Sequence, residues 1–133
     1  MDKVNSTDTK WYVAEVEDNY LTYNYYVLRY FLKVDHVPGF DNKSWYCGYV
    51  EIPEGHELYK KKYLDYSYLE VHGGLTFGNK IKIGDNVIFA FGFDCNHFGD
   101  NFHVQDKDYT EKECLLLIDQ IVERWGNSDG SEI

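Results

Sequence analysis

Two short stretches carry side chains whose types suit chemistry. They are His72-Gly73-Gly74-Leu75-Thr76 and Asp94-Cys95-Asn96-His97-Phe98-Gly99-Asp100. A Gly-Gly pair lets backbone N–H groups approach an anion or a carbonyl without side-chain obstruction, and it permits positive φ. A tight turn that needs those dihedrals is the plainer reading of the same pair. Asp94, His97 and Asp100 follow one another at intervals of three. On a helix they would share a face, and His72 would complete a group of four donors. Carboxylates with imidazoles suit a divalent metal or an acid–base pair. Gly99, Asp94 and Asn96 instead favour a loop, where that periodicity carries little weight, and the donor count alone assigns no metal.

Cys95 stands two residues from His97, an arrangement open to nucleophilic chemistry if an imidazolium or a helix N-terminus lowers the thiol pKa. The competing role is a small hydrophobe at the end of a buried strand. Cys47 and Cys114 read as core. His36 reads as a loop residue, and His56 and His103 as exposed turn residues. The ligand-binding candidates are therefore His72, Gly73, Gly74, Thr76, Asp94, Cys95, Asn96 and His97. If the protein is an enzyme, the catalytic candidates are His72, His97, Asp94 and Asp100.

The elements that must position these residues follow from hydropathy patterning. Trp11–Val16 is strand-like, and Tyr23–Val34 alternates with period two. Tyr26, Leu28, Tyr30, Leu32 and Val34 fall on one face, and Arg29 and Lys33 on the other, as in a sheet wetted on one side. Asp35–Ser44 reads as a loop and Trp45–Ile52 as the second strand of a hairpin. Pro53-Glu54-Gly55-His56 breaks the sheet, and Glu57–Tyr68 fits either a helical turn or an ordered loop. Leu69–Val71 reads as a short strand running into His-Gly-Gly. A turn at Gly84-Asp85-Asn86 separates Lys80–Ile83 from Val87–Phe93, whose apolar run suits a strand buried on both faces. Thr110 and Glu113 fit a capping box. Cys114, Leu117, Ile118, Ile121 and Trp125 then recur at helical spacing, and Gly126 fits the stop. The expected architecture is α+β: an antiparallel sheet with a C-terminal amphipathic helix packed on one face. Residues 1–10 form a flexible N-terminus, 11–126 a single domain and 127–133 a flexible C-terminal tail. Polar residues at the ends of two neighbouring strands would bring His72, Thr76, Asp94 and His97 together.

The 133 residues carry a formal charge of −10 and 18% aromatic residues, 13 of them tyrosine. A duplex-binding protein neutralises phosphates with a basic stripe, which is missing here, so no nucleic-acid polymer is expected. Lys60-Lys61-Lys62 reads as a solvated face. A small phosphorylated ligand stays open, because backbone N–H groups can bind it. Three cysteines without a CxxC pair point to reduced thiols in the cytoplasm. No signal-peptide pattern and no apolar run of about 20 residues is visible, so no membrane association is expected. Tyr20–Tyr30 can supply a homo-oligomer surface, and a wet sheet face explains it equally well.

The ordered series Trp45-Tyr46-Cys47-Gly48-Tyr49-Val50 with Pro53-Glu54-Gly55-His56, Val71–Phe77 and Gly92–Asp100 resembles a family of small phage and prophage proteins without an assigned function. The likeness covers residues 45–100 and departs at Phe98, where the pattern has a small residue. A bulkier side chain there would narrow a pocket. The resemblance implies a setting, the host bacterial cytoplasm during infection, and an anti-defence role. The leading expectation is a protein that sequesters a nucleotide-derived signal, its base stacked on aromatic rings and its phosphates on backbone N–H groups. The alternatives are a hydrolase acting on a phosphodiester or related bond with His72 and His97 as acid and base, and an acidic inhibitor of a host protein.

Overall fold

The computed structural model describes residues 8–34 and 43–131. Residues 35–42 of the expected loop, His36 and residues 1–7 lie outside the described residues. Lys43 and Ser44, read as loop, already belong to a strand.

Five strands form one antiparallel sheet: β1 (Asp8–Tyr20), β2 (Tyr23–Val34), β3 (Lys43–Glu51), β4 (Phe77–Ile83) and β5 (Asn86–Asp94). Their spatial order is β1-β2-β3-β5-β4. One helix, α1 (Lys107–Trp125), packs across β3, β2 and β1 on one face. The chain thus adopts the expected α+β arrangement.

Period-two alternation in β2 sends Tyr23, Tyr25 and Val27 toward α1, where they meet Cys114, Leu117, Ile118 and Ile121. Each fully buried aliphatic side chain in this layer contributes about 1.5–3 kcal/mol. This α1 face is the face of Arg29 and Lys33, expected to be wetted, and α1 covers its Tyr23–Val27 part; the opposite face carries the side chains expected to be apolar. Leu28, Cys47, Tyr49, Ile83 and Ala90 form a second core there. The cause is curvature. Glu15 is an extra residue in the β1–β2 register, and such a bulge bends its strand and raises the local twist. The Tyr12 hydroxyl donates to the Lys82 carbonyl on β4, joining strands from opposite edges of the sheet. Tyr23 and Tyr25 are committed to the core and are not available for an oligomer surface.

Three further expectations give way to tertiary contacts. Leu69–Val71 is not a strand: Leu69 is buried in the core, and Gln120 of α1 accepts from the Glu70 N–H (2.7 Å) and donates to the Glu70 carbonyl (2.6 Å). A helix side chain supplies what a partner strand would have. Asp106, not Thr110, caps α1, accepting from the Tyr109 N–H at 2.9 Å. Thr110 lies inside the first turn, buried, with its hydroxyl on the Asp106 carbonyl. His56 is buried rather than exposed, its ring held between the Tyr23 hydroxyl (2.9 Å) and the Leu58 N–H (3.0 Å), and burial lowers its pKa.

The remaining elements follow the patterning more closely. Glu57–Tyr68 holds turns and one 3-10 turn, Tyr63–Tyr66. Gly126 ends α1 at φ 77°. Residues 127–131, read as a tail, close a turn through the Asn127 N–H and the Ser131 carbonyl, and the Ser128 N–H donates to the Thr22 hydroxyl. Among the described residues, no helix is long and apolar enough to cross a membrane.

At Gly48, α1 packs directly against the sheet. A Cβ there would lie 2.5 Å from the Phe93 ring and 2.6 Å from Cys114 Sγ. Gly48→Ala is expected to cost about 1–3 kcal/mol by overpacking, lowering the urea midpoint with an unchanged slope. A wild-type midpoint would mean that α1 stands further off.

Candidate functional site

The site lies at the end of the sheet where β5 stops. Asp94 is the last residue of β5, paired with Cys47, and the Cys95 N–H still reaches the Tyr46 carbonyl (2.9 Å). The chain then turns instead of forming a helix. The Asp94 carboxylate accepts from the Asn96 N–H (3.1 Å), and the Asp100 N–H donates to the His97 carbonyl (2.9 Å). These bonds close the loop so tightly that Asp94, His97 and Asp100 meet without helical periodicity. His97 Nδ1 lies 3.6 Å from Asp94 Oδ1 and 3.3 Å from Asp100 Oδ2.

His72 arrives from the other stretch. Gly73 and Gly74 take φ of 68° and 82°, and the Gly74 N–H donates to the Val71 carbonyl, closing the turn. The His72 N–H donates to Glu113 Oε1 on α1 (2.7 Å). Glu113, read as half of a capping box, therefore anchors the site. The His72 ring is held at both ends: Nδ1 is 2.8 Å from the Tyr109 hydroxyl, and Nε2 is 2.9 Å from Asp100 Oδ2. A Cβ on Gly73 would overlap the His97 ring, so this glycine is what lets the two imidazoles approach, at 5.8 Å between centroids.

The expected convergence of His72, Thr76, Asp94 and His97 is present, through a turn anchored on α1 and not through a second strand. Thr76 donates to Asp94 Oδ2 at 3.2 Å. Asp100 is the hub. Its carboxylate meets His72 Nε2, His97 Nδ1 and the His97 N–H (2.9 Å), with side-chain exposure of 10% against 16% for His72 and 38% for His97. Burial alone raises a carboxyl pKa. At Asp100 the hydrogen bonds from His72 and from the His97 N–H outweigh that effect and hold it below the ordinary value.

Cys95 is buried with its Sγ 3.6 Å from the Thr110 hydroxyl, and burial pushes its pKa up to about 11. A thiol so placed has little thiolate at neutral pH, so its role is packing. Cys47, pushed up to about 12, and Cys114 are core residues as expected. Phe98 is fully exposed to solvent.

Beside the cluster opens a cavity of about 610 Å³ that sequence patterning did not reveal. Its walls include Arg29 and Phe31 of β2, Lys43 and Trp45 of β3, and Phe102 of the loop before α1. Asp100 is the wall it shares with the histidine cluster, and Cys95 and Asn96 join it from the expected ligand-binding set. Arg29 lies on the α1 face of β2, beyond the reach of the helix. Its guanidinium donates to the Ser44 hydroxyl (3.1 Å) and sits 5.0 Å from the Phe31 ring and 5.4 Å from Phe102. Among the described residues no carboxylate pairs with it. A second cavity of about 350 Å³ shares Trp45 and Asn96 and adds Lys10, Tyr30, Thr76 and Asp94.

Two outcomes check this geometry. Gly73→Ala and Gly74→Ala each carry the left-handed backbone cost of about 1–2 kcal/mol. Only Gly73→Ala should also shift the His97 imidazole resonances, because nothing lies within 4 Å of a Cβ on Gly74. Equal shifts in both would contradict the packing described. For Asp100, whose folded pKa is depressed, stabilisation is present above the unfolded carboxyl value and fades as pH falls through the folded one. The stability gap between wild type and Asp100→Asn should therefore be widest near neutral pH and shrink below about pH 4. A pH-independent gap would contradict the assignment.

Comparison with protein-family models, curated proteins and solved structures finds no match, and the chemistry of the site rests on its own residues.

Proposed function

We propose that this protein binds and sequesters a nucleotide-derived small molecule, in the cavity walled by Arg29, Lys43, Trp45, Phe31 and Phe102. One observation carries the reading: in a concave space of about 610 Å³ lined by Arg29, Phe31, Lys43, Trp45 and Phe102, the Arg29 guanidinium lies over the Phe31 and Phe102 rings, on a chain of charge −10. Ligand pockets of this kind span about 300–1,000 Å³. The guanidinium suits a phosphate through paired N–H donors, and the rings offer faces for a base. On an acidic chain the long-range field repels anions, so a local group of cations is what an anionic ligand requires. Lys10 supplies a cation to the adjoining cavity, with its Nζ 5.7 Å from the Trp45 ring. The motif resemblance supplies the setting, a phage protein that blunts host antiviral defence in the bacterial cytoplasm.

A second reading is favoured by Asp100, which belongs to both the cavity wall and the histidine cluster. A phosphodiester-type bond placed there would meet His97 as the accessible acid or base, with Asp100 orienting His72.

The test is depletion and release. Purified protein is incubated with a panel of cyclic nucleotides and cyclic ADP-ribose isomers, filtered, then heat-denatured. Sequestration gives depletion of one compound from the filtrate and its intact release. Arg29→Met, which keeps the stem and removes the charge, should weaken binding about 10- to 100-fold, the effect of losing a charged hydrogen bond to phosphate. A new product that disappears with His97→Ala would establish the hydrolase instead. No depletion of any compound would defeat both readings.

A further inference from the structure

The histidine cluster has a geometry that a simple ion pair does not require. His72 Nε2 and His97 Nδ1 both face one oxygen, Asp100 Oδ2, at 2.9 and 3.3 Å. One ligand atom from each of the three residues lies within 4.8 Å of the other two. Metal–nitrogen and metal–oxygen bonds to a first-row ion run about 2.0–2.2 Å, which makes neighbouring ligands about 3.0 Å apart in an octahedron and about 3.4 Å in a tetrahedron. The two histidine–carboxylate distances, 2.9 and 3.3 Å, span the octahedral and tetrahedral edges.

From these distances we infer that His72, His97 and Asp100 form a binding site for a divalent transition metal of the zinc and cobalt class.

Three features of the surroundings support this assignment independently of the distances. A ligating imidazole fixes its tautomer by giving its other N–H to a neighbour, and His72 Nδ1 meets the Tyr109 hydroxyl at 2.8 Å. The ligating residues and their neighbour Asp94 are themselves held: Glu113 takes the His72 N–H, and Asp94, 3.6 Å from His97 Nδ1, is fixed by Thr76 and the Asn96 N–H. Gly73 removes the side chain that would keep the two imidazoles apart. Two imidazoles in the donor set favour zinc, cobalt or nickel over calcium or magnesium, which prefer oxygen. His97, 38% exposed, gives the ion a route in from solvent. Three protein ligands leave a position open for water or a ligand oxygen.

This inference stands whether or not the neighbouring cavity takes a nucleotide. The experiment is a titration of chelator-treated, full-length protein with Co²⁺, followed by visible absorption, with Zn²⁺ competing. One equivalent of Co²⁺ should bind with d–d bands that Zn²⁺ abolishes. His97→Ala and Asp100→Asn should lose those bands, and Tyr109→Phe, which removes only the outer hydrogen bond, should weaken affinity about 10-fold. His103→Ala, an exposed histidine outside the cluster, should bind like wild type. Circular dichroism establishes that each variant is folded. His97 is partly exposed, so its truncation leaves the core intact. Folded wild-type protein without Co²⁺ bands, or folded His97→Ala with unchanged affinity, would overturn the assignment. So would loss of binding in His103→Ala.

Discussion

The Asp100 carboxylate gathers two imidazole rings and a backbone N–H onto one nearly enclosed group, and the end of the sheet is organised around it. A carboxylate withdrawn from water needs donors, and here they come from two segments distant in sequence. Through it the His-Gly-Gly turn and the Asp94–Asp100 loop are tied together. Through His72, Tyr109 and Glu113 that tie extends to the first turns of α1. The helix therefore does two jobs. Its apolar stripe closes the core on β3 and β2, and its N-terminal half orients one imidazole.

Beyond the N-terminal end of the helix the sheet has no cover of that kind, and the cavity forms there. Tyr25 and Val27 lie beneath α1, whereas Arg29 and Phe31 on the same face of β2 look onto the loop that carries Asp100 and Phe102. The cavity and the histidine cluster are thus products of one arrangement: a loop drawn over a sheet end and pinned by a nearly enclosed carboxylate. Cations concentrate at this end of an acidic molecule, with Arg29, Lys43 and Lys10 all within cation–π reach of aromatic rings.

The strands of β2 and β5, the buried stripe of α1 and its glycine stop were legible because each is a local periodicity. The meeting of His72 with His97 was legible in outcome but not in cause. It was read as two strands ending side by side, and the partner of Glu70 and His72 turned out to be α1. Glu113 shows why. Three residues after a threonine it satisfies a capping pattern, and nothing local reveals that a distant N–H claims its carboxylate. His56 likewise has the neighbours of a turn residue, and only the fold shows Tyr23 over it. Arg29 was the most consequential loss. Alternation placed it on a face read as wetted, whereas α1 covers that face up to Val27, and how far a helix reaches along a strand is a tertiary fact.

Occupancy of the Arg29–Trp45 cavity by a nucleotide-derived molecule can be read from the emission of Trp45. The chain has three tryptophans, so Trp11→Phe with Trp125→Phe leaves Trp45 as the sole reporter. Titration with the compound retained by the protein should quench that emission saturably, with the same midpoint as binding measured by dialysis, and Arg29→Met should move both together. Retention of the compound with Trp45 emission unchanged to saturation would put the ligand elsewhere and contradict the account.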